Sequence, residues 1–234
     1  MIKPGILIAA LTLFIFMGDE IQAQDWANLD RFREENAELG PPAPGEKRVV
    51  FMGNSITEEW SRHSPGFFER KTYINRGISG QATPQMLVRF RADVINLKPE
   101  VVVILAGTND IAGNTGPSSL EMIMNNLKSM AELAKANDIK VILCSVLPAY
   151  DYPWNPGLNP DKKIPALNEM IKVYARKNDF IYLDYFSSMV DEGNALKDAY
   201  TYDCVHPNEA GYKVMEPLLE KTIAKALRKS TIQY

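Results

Sequence analysis

The amino-acid sequence predicts a single α/β domain in which a parallel β-sheet is covered by helices on both faces. Short runs rich in Val, Ile and Leu recur along the chain, and amphipathic stretches of helical period separate them. Strands that read as continuous apolar runs are typically buried on both faces, and strands that alternate with helices pair in parallel. No internal repeat and no second composition regime divides the sequence.

Composition excludes several other classes of protein. With 46% hydrophobic and 24% charged residues, the 234-residue chain is neither disordered nor collagen-like. With a net charge of −3, the chain has no excess of basic residues that would favour binding to nucleic acid or to an anionic membrane surface. Two His and two Cys are too few for a multi-histidine metal centre or a disulfide scaffold. We therefore expect no multi-histidine metal centre and no nucleic-acid partner.

The first 23 residues have the pattern of a secretory signal peptide. Lys3 precedes the apolar run Ile6 to Met17, Gly18 interrupts it, and small-residue cleavage is expected after Ala23. The run is too short to span a bilayer, and no Cys follows the cut to carry a lipid anchor. The sequence therefore predicts export without a stable membrane anchor, the alternative being a buried N-terminal helix.

The remaining elements follow in order. Residues 24–47 are expected to form an amphipathic helix, Asp25 to Leu39, and a Pro-rich connector, and residues 48–234 the main domain. The predicted strands are Arg48 to Met52, Tyr73 to Asn75, Val101 to Ala106, Lys140 to Leu147 and Phe180 to Leu183. The clearest predicted helices are Ser118 to Ala136, Pro165 to Lys177 and one that begins at Pro207.

Polar, Gly-containing turns follow the predicted strands, where sites form in open α/β sheets. Gly53 permits a sharp turn after the first strand, and Ser55 then lies at a helix start with an exposed hydroxyl. An ordinary N-cap serine is the alternative. Gly80 follows the second strand and permits close approach of its backbone N–H to a ligand. Asn109 follows the third strand with a side-chain amide, or else forms an Asx turn.

A carboxylate and an imidazole stand three residues apart near the C-terminus. Asp203 can reach back to orient His206, as the acid does in a Ser-His-Asp triad, although a surface loop histidine is the alternative. The other histidine, His63, has no carboxylate motif of this kind and is expected to be a surface residue. Cys144 and Cys204 are either a disulfide pair or two free thiols.

Taken together, these blocks resemble the SGNH hydrolase family, also called GDSL esterases and lipases. The resemblance rests on four blocks in order, with approximate spacing that fits from about residue 48 to residue 227: Gly53-Asn54-Ser55, Gly80, Gly107-Thr108-Asn109-Asp110 and Asp203-x-x-His206. The run Asn75 to Thr83 followed by Arg89 looks most similar to platelet-activating-factor acetylhydrolase-like and lysophospholipase-like secreted bacterial esterases.

The resemblance implies a flavodoxin-like three-layer α/β/α sandwich with a five-stranded parallel sheet, and it calls for no metal and no organic cofactor. It also implies Ser55 as nucleophile, His206 as general base and then acid, and Asp203 as the partner of the imidazole. The implied oxyanion hole comprises the backbone N–H groups of Ser55 and Gly80 and the side-chain amide of Asn109. The family's Asp before the serine is Asn54 in this chain, which we expect to tune the turn without abolishing catalysis.

Substrate contacts are expected from aromatic residues near the same sheet edge. Tyr150, Tyr152 and Trp154 follow the fourth strand in a proline-stiffened loop that can stack on a sugar or line an acyl pocket. A loop that merely covers the sheet is the alternative. Trp60, on the helix after Ser55, is a further expected substrate contact.

The predicted function is that of an exported serine esterase that hydrolyses small acyl esters, acetyl above all, carried by a carbohydrate-like alcohol. One alternative is a lysophospholipase-like or lipase-like enzyme for longer acyl chains. Another is a catalytically silent carbohydrate-binding protein of the same fold. An acyltransferase differs only in the acceptor that resolves the acyl-enzyme.

Overall fold

A five-stranded, entirely parallel β-sheet forms the centre of the computed structural model, which describes residues 25–69 and 72–228. The strand order is β2-β1-β3-β4-β5, so the chain switches direction across the sheet between β1 and β3. The strands are β1 (Val49–Gly53), β2 (Tyr73–Gly77), β3 (Val101–Leu105), β4 (Lys140–Cys144) and β5 (Ile181–Leu183).

Helices of the described residues follow the strands and connect their ends. They are α1 (Arg33–Leu39), α2 (Ser55–His63), α3 (Pro65–Glu69), α4 (Thr83–Asp93), α5 (Thr108–Ile111), α6 (Leu120–Lys135), α7 (Pro160–Lys177), α8 (Phe186–Met189) and α9 (Glu209–Arg228). Two short 3₁₀ turns, Ile95–Leu97 and Asp198–Tyr200, complete the regular structure.

Alternate residues of each central strand enter two separate apolar cores. In β3, Val102 and Ile104 face a core that contains residues of α4, α6 and α7, whereas Val101 and Val103 face a core that contains residues of α2 and α9. Side chains of a strand alternate between the faces of its sheet, so a strand that is apolar throughout must be covered on both sides. The predicted three-layer α/β/α sandwich is thus confirmed.

A side chain distant in the sequence accounts for the difference at the end of the fourth strand. The fourth strand ends at Cys144, three residues before the predicted end at Leu147. The reason is Asn168 of α7, whose side chain accepts from the Val146 N–H at 2.7 Å and donates to the Val146 carbonyl at 3.0 Å. The buried Asn168 side chain thus makes the two hydrogen bonds with the Val146 backbone that a neighbouring strand would otherwise make.

The predicted start of α7 at Pro165 is wrong, because the helix begins five residues earlier at Pro160 and Pro165 lies inside it. The Asp161 carbonyl, to which Pro165 has no N–H to donate, accepts from the Asn194 side chain at 3.2 Å.

The starts of α1 and α9 also differ by two or more residues from their predicted positions. The first helix begins at Arg33 and not at Asp25, because Asn28 has a left-handed backbone and the Asp25 carboxylate accepts from the Asp30 N–H at 3.0 Å. The last helix begins at Glu209, after Asn208 accepts from the Gly211 N–H at 3.0 Å, and not at Pro207. Local side-chain bonds at turns compete with helix formation in this way.

Three further predictions concern the termini and the cysteines. The predicted signal peptide, residues 1–23, lies outside the described residues. Within the described ranges, none of the helices combines the length and the apolar character that a bilayer crossing requires. Cys144 is a buried free thiol and Cys204 an exposed one, so the disulfide alternative is wrong.

Candidate active site

Ser55 is the first residue of α2 and follows the carboxyl end of β1 directly. Asn54 is the N-cap: its side-chain oxygen accepts from the Ile56 N–H at 3.1 Å. The alternative that Ser55 caps the helix is therefore wrong, and the serine hydroxyl is left for another partner. Gly53 permits this turn, since a Cβ there would collide with the Thr57 side chain and crowd the Leu105 carbonyl.

That other partner is His206. The Ser55 Oγ lies 2.9 Å from His206 Nε2, and His206 Nδ1 lies 2.6 Å from the Asp203 Oδ2. The serine and the histidine are 151 positions apart in sequence. The three side chains form one hydrogen-bonded series, as the resemblance implies, and the proton path from hydroxyl to imidazole is already aligned.

The Asp203 carboxylate also folds the loop that carries His206. Its Oδ1 accepts from the backbone N–H groups of Val205 at 3.0 Å and His206 at 2.7 Å. Burial raises the pKa of Asp203, but the hydrogen bonds from His206 and Val205 outweigh burial, and the pKa is lowered overall. Asp203 therefore remains ionised beside the imidazole at neutral pH.

The turn after β2 and the turn after β3 meet through Asn109. Its side-chain amide donates to the Gln81 carbonyl at 2.9 Å, which uses one of its two N–H bonds and leaves the other as a donor. Gly80 has a φ of +77°, a left-handed backbone that a non-glycine residue adopts at a cost. Asn109 is buried, so its donor is fixed before any ligand arrives.

Gln81 and Arg89, to which we assigned no role from the sequence, connect these turns to the turn before Ser55. The Arg89 guanidinium is fully buried and donates to the Gln81 side chain at 2.6 Å, to Asp93 at 3.0 Å and to the Gly53 carbonyl at 3.1 Å. Gln81 in turn donates to the Ala27 carbonyl at 2.8 Å. One buried cation thus joins the turn before Ser55 to the turn that holds Asn109.

Asp110 anchors the Asn109 turn from its other side. Its carboxylate accepts from the Thr83 hydroxyl at 2.5 Å and from the Thr83 N–H at 3.0 Å, at the start of α4. Burial raises the pKa of Asp110 to about 6, although the Thr83 hydrogen bonds favour the ionised form. The group therefore takes up a proton in weak acid.

Two of the four expected substrate contacts lie in the core. Trp60 is 1% exposed, stacks on Phe67 at 5.2 Å and donates to Glu216 at 3.3 Å. Tyr152 is fully buried, with its hydroxyl 2.9 Å from Thr108 Oγ1. Neither side chain is open to a substrate, so these two expectations are wrong: both rings have a polar partner inside the fold that the sequence does not reveal.

The other two expected contacts, Tyr150 and Trp154, are exposed. The Trp154 ring lies 6.2 Å from the His206 ring, centroid to centroid. A further aromatic residue that the sequence analysis missed, Tyr202, stacks on His206 at 5.8 Å with an interplanar angle of 12°. Its position immediately before Asp203 was the one available signal.

His63 stands at the opposite end of α2 from Ser55. Eight residues of helix separate the two by about 12 Å along the helix axis. The His63 ring stacks on Tyr202 at 6.0 Å and on Tyr212 at 5.6 Å, and its side chain is 25% exposed. The second histidine is therefore a partly exposed packing residue beside the site.

These residues lie at the carboxyl edge of the sheet, near the switch point between β1 and β3. Open α/β sheets bind ligands at such a place. A serine hydroxyl, an imidazole and a carboxylate in series suit attack on an acyl carbonyl. Residues 51–214 match the GDSL-like lipase/acylhydrolase family, and the chain belongs to that family. Membership of this family supports the prediction of a carboxylic-ester hydrolase.

Similar proteins of known sequence or structure carry related names. The chain is 28% identical over 221 residues to an acetylxylan esterase of Xylanibacter ruminicola, a match that covers 78% of this chain and 44% of the relative. The chain thus spans less than half the length of that protein. A GDSL-like lipase from Bacteroides thetaiotaomicron is 52% identical, with a TM-score of 0.84 over 86% of this chain and 98% of the other.

A catalytic mutant of an acetylxylan esterase from Geobacillus stearothermophilus shares the fold at 20% identity. Its TM-score is 0.63, over 76% of this chain and 94% of the other. At that identity the likeness concerns the fold alone.

Proposed function

We propose that this protein is an exported serine esterase that removes acetyl groups from a carbohydrate alcohol by way of an acyl-enzyme. The observation that carries the catalytic part is the series from Ser55 Oγ through His206 to Asp203, with distances of 2.9 and 2.6 Å. Export rests on the signal-peptide pattern of residues 1–23.

Catalysis begins when Ser55 Oγ attacks the ester carbonyl carbon while His206 Nε2 takes the hydroxyl proton. Asp203 holds the imidazole in the tautomer that presents Nε2 to the serine, and its charge stabilises the imidazolium that forms. The C–O bond to the alcohol then breaks, and the proton on Nε2 passes to the leaving oxygen. Water, activated by His206 in the same way, releases acetate and restores Ser55.

Negative charge develops on the carbonyl oxygen during both attacks. We assign its stabilisation to the backbone N–H groups of Ser55 and Gly80 and the free amide hydrogen of Asn109. Donors fixed in advance stabilise such charge strongly, because they need no reorganisation during the reaction.

Asn109→Ala should therefore lower kcat by on the order of 10²–10³, the usual effect of losing one oxyanion donor. KM should change much less, because the charge appears only in the transition state. Steady-state kinetics on an acetyl ester measure both constants. The matched control is Asn114→Ala, which removes an amide that donates to the Gly80 carbonyl at 3.0 Å but no proposed oxyanion donor. Equal losses in the two variants would contradict the assignment.

Residues of the helix that begins at Ser55 and of the loop after β4 support a preference for a short acyl group. Glu58 and Glu59 lie on α2, and Pro148, Pro153 and Pro156 stiffen the loop after β4. No long apolar insertion separates the motif blocks, whereas a long acyl tail needs a wide apolar trough. The similarity to the acetylxylan esterase named above supports acetyl as the acyl group and a sugar as the alcohol of the substrate.

A series of p-nitrophenyl esters from two to eight carbons tests the acyl preference. We expect the acetyl ester to have the highest kcat/KM, with a steep fall by eight carbons. A pocket for the tail would instead add roughly 0.8 kcal/mol of binding for each buried CH₂. A steady rise with chain length would favour the lipase-like function, which the name of the Bacteroides thetaiotaomicron protein makes the second candidate.

A further inference from the structure

We propose that Trp154 and Tyr202 together form the site for the leaving alcohol, and that the site takes a sugar ring. The inference rests on the proposed function in one respect, that His206 protonates the leaving oxygen. Whatever carries that oxygen must then lie beside the imidazole when the C–O bond breaks. The residues around the imidazole therefore define the alcohol site.

Two exposed aromatic rings flank the imidazole from different loops. Trp154 comes from the loop after β4, and Tyr202 from the loop that leads into α9. Their ring centroids lie 6.2 and 5.8 Å from that of His206, yet the two residues remain 48% and 52% exposed. Single exposed aromatics are common on protein surfaces, but two that lie against one imidazole place apolar ring surface directly beside the proposed general base.

Tyr202 is held to the helix that carries Ser55. Its hydroxyl donates to the Glu59 Oε2 at 2.6 Å, across 143 positions of sequence. Burial and this hydrogen bond to Glu59 raise the pKa of Tyr202, so the phenol keeps its proton and the bond. The ring thus has a fixed position relative to both Ser55 and His206.

Trp154 is held to the turn that carries Asn109. Its ring packs on Tyr152 at 5.3 Å, and the Tyr152 hydroxyl lies 2.9 Å from Thr108 Oγ1. The loop itself is closed where the Asp151 carboxylate accepts from the Gly157 N–H at 2.9 Å. Both rings are therefore fixed before substrate binds, which lowers the entropic cost of binding.

Rigid, half-exposed aromatic rings suit a sugar ring better than an acyclic alcohol. A sugar ring offers a flat C–H face that packs on an aromatic surface, while its hydroxyl groups remain in water. A flexible glycerol backbone has no such face and therefore gains little binding energy from a flat aromatic surface.

The test compares two acetyl esters that differ only in the alcohol: acetylated xylo-oligosaccharides and glycerol triacetate. In Trp154→Ala and in Tyr202→Ala, we expect the ratio of kcat/KM for the sugar ester to that for glycerol triacetate to fall about tenfold, equivalent to ~1.4 kcal/mol. Trp154→Phe, which keeps an aromatic face, should restore most of the ratio. Trp26→Ala is the matched control, since Trp26 is also 48% exposed, on the N-terminal segment.

Binding provides a second readout that does not depend on turnover. In Ser55→Ala protein, acetylated xylo-oligosaccharides should change the tryptophan fluorescence, and additional replacement Trp154→Phe should remove that change.

The outcomes separate this inference from the proposed function. An unchanged ratio in both alanine variants, or wild-type activity on glycerol triacetate with none on the sugar ester, overturns the alcohol site while the serine-esterase function stands. If the unaltered protein hydrolyses neither ester, both the alcohol site and the proposed function are overturned.

Discussion

Ser55→Ala should lower kcat for ester hydrolysis by on the order of 10⁶-fold, the scale of loss that follows removal of a serine nucleophile. In the proposed mechanism no acyl-enzyme forms without the hydroxyl, and the remaining oxyanion donors can then act only on direct attack by water. Assays with an acetyl ester measure the loss. A fluorophosphonate should label Ser55 in the unaltered protein and leave the alanine variant unlabelled.

The fold should survive this replacement. Ser55 is the first residue of α2, and its cap is supplied by Asn54, so alanine removes no helix-capping bond. Thermal unfolding of the variant should stay close to that of the unaltered protein. Ser64→Ala, just past the end of the same helix, is the matched control and should keep full activity. A folded Ser55→Ala protein with near-normal activity would contradict the proposed nucleophile.

Local patterns in the sequence predict most of the sheet, because the apolar composition of the central strands indicates that they are buried on both faces. Val101 to Leu105 is apolar at every position, and the structure buries it on both faces. The predicted end of β4 at Leu147 is wrong for a non-local reason: Asn168, on the next helix, satisfies the Val146 backbone and takes it out of the ladder. No window of sequence around β4 contains that information.

The candidate site likewise contains contacts that follow from local sequence and contacts between residues distant in the sequence. Asp203 and His206 are three residues apart, so the contact between them follows from the turn they share. Ser55, Gly80 and Asn109 gather because parallel strands end at one edge. Trp60 is different: what decides its burial is its packing on Phe67 and its bond to Glu216, 156 positions away. Tyr202 and its bond to Glu59 escaped prediction for the same reason.

His206→Ala should be as damaging as loss of the nucleophile, with a fall in kcat again on the order of 10⁶. In the proposed mechanism, the imidazole both takes the Ser55 proton and returns a proton to the leaving oxygen. His63→Ala is the matched control, because these are the two histidines of the chain. It should keep activity close to that of the unaltered protein, since about 12 Å of helix separates it from Ser55. The reverse result would contradict the assignment of the base.

Acid should abolish activity for the same reason, because a protonated imidazole cannot accept the serine proton. Asp203 does not account for that loss: its pKa is lowered in the folded protein, so its stabilising charge disappears only in stronger acid. Asp110, with a pKa of about 6, is the competing explanation, since it titrates in weak acid beside Asn109. Because the pKa of Asp110 is higher in the folded protein than its ordinary value of 3.8, protonation of this carboxyl favours the folded state. Its contribution to the free energy of unfolding therefore increases as the pH falls from about 6.

The variant Asp110→Asn separates the two explanations, because an amide keeps an acceptor for Thr83 but does not titrate. A pH profile of kcat/KM is measured for this variant and for the unaltered protein. If His206 is the base, the acid limb of the profile persists in Asp110→Asn, since the imidazole is still present. Disappearance of the limb would assign it to the buried carboxyl and remove the pH argument for His206.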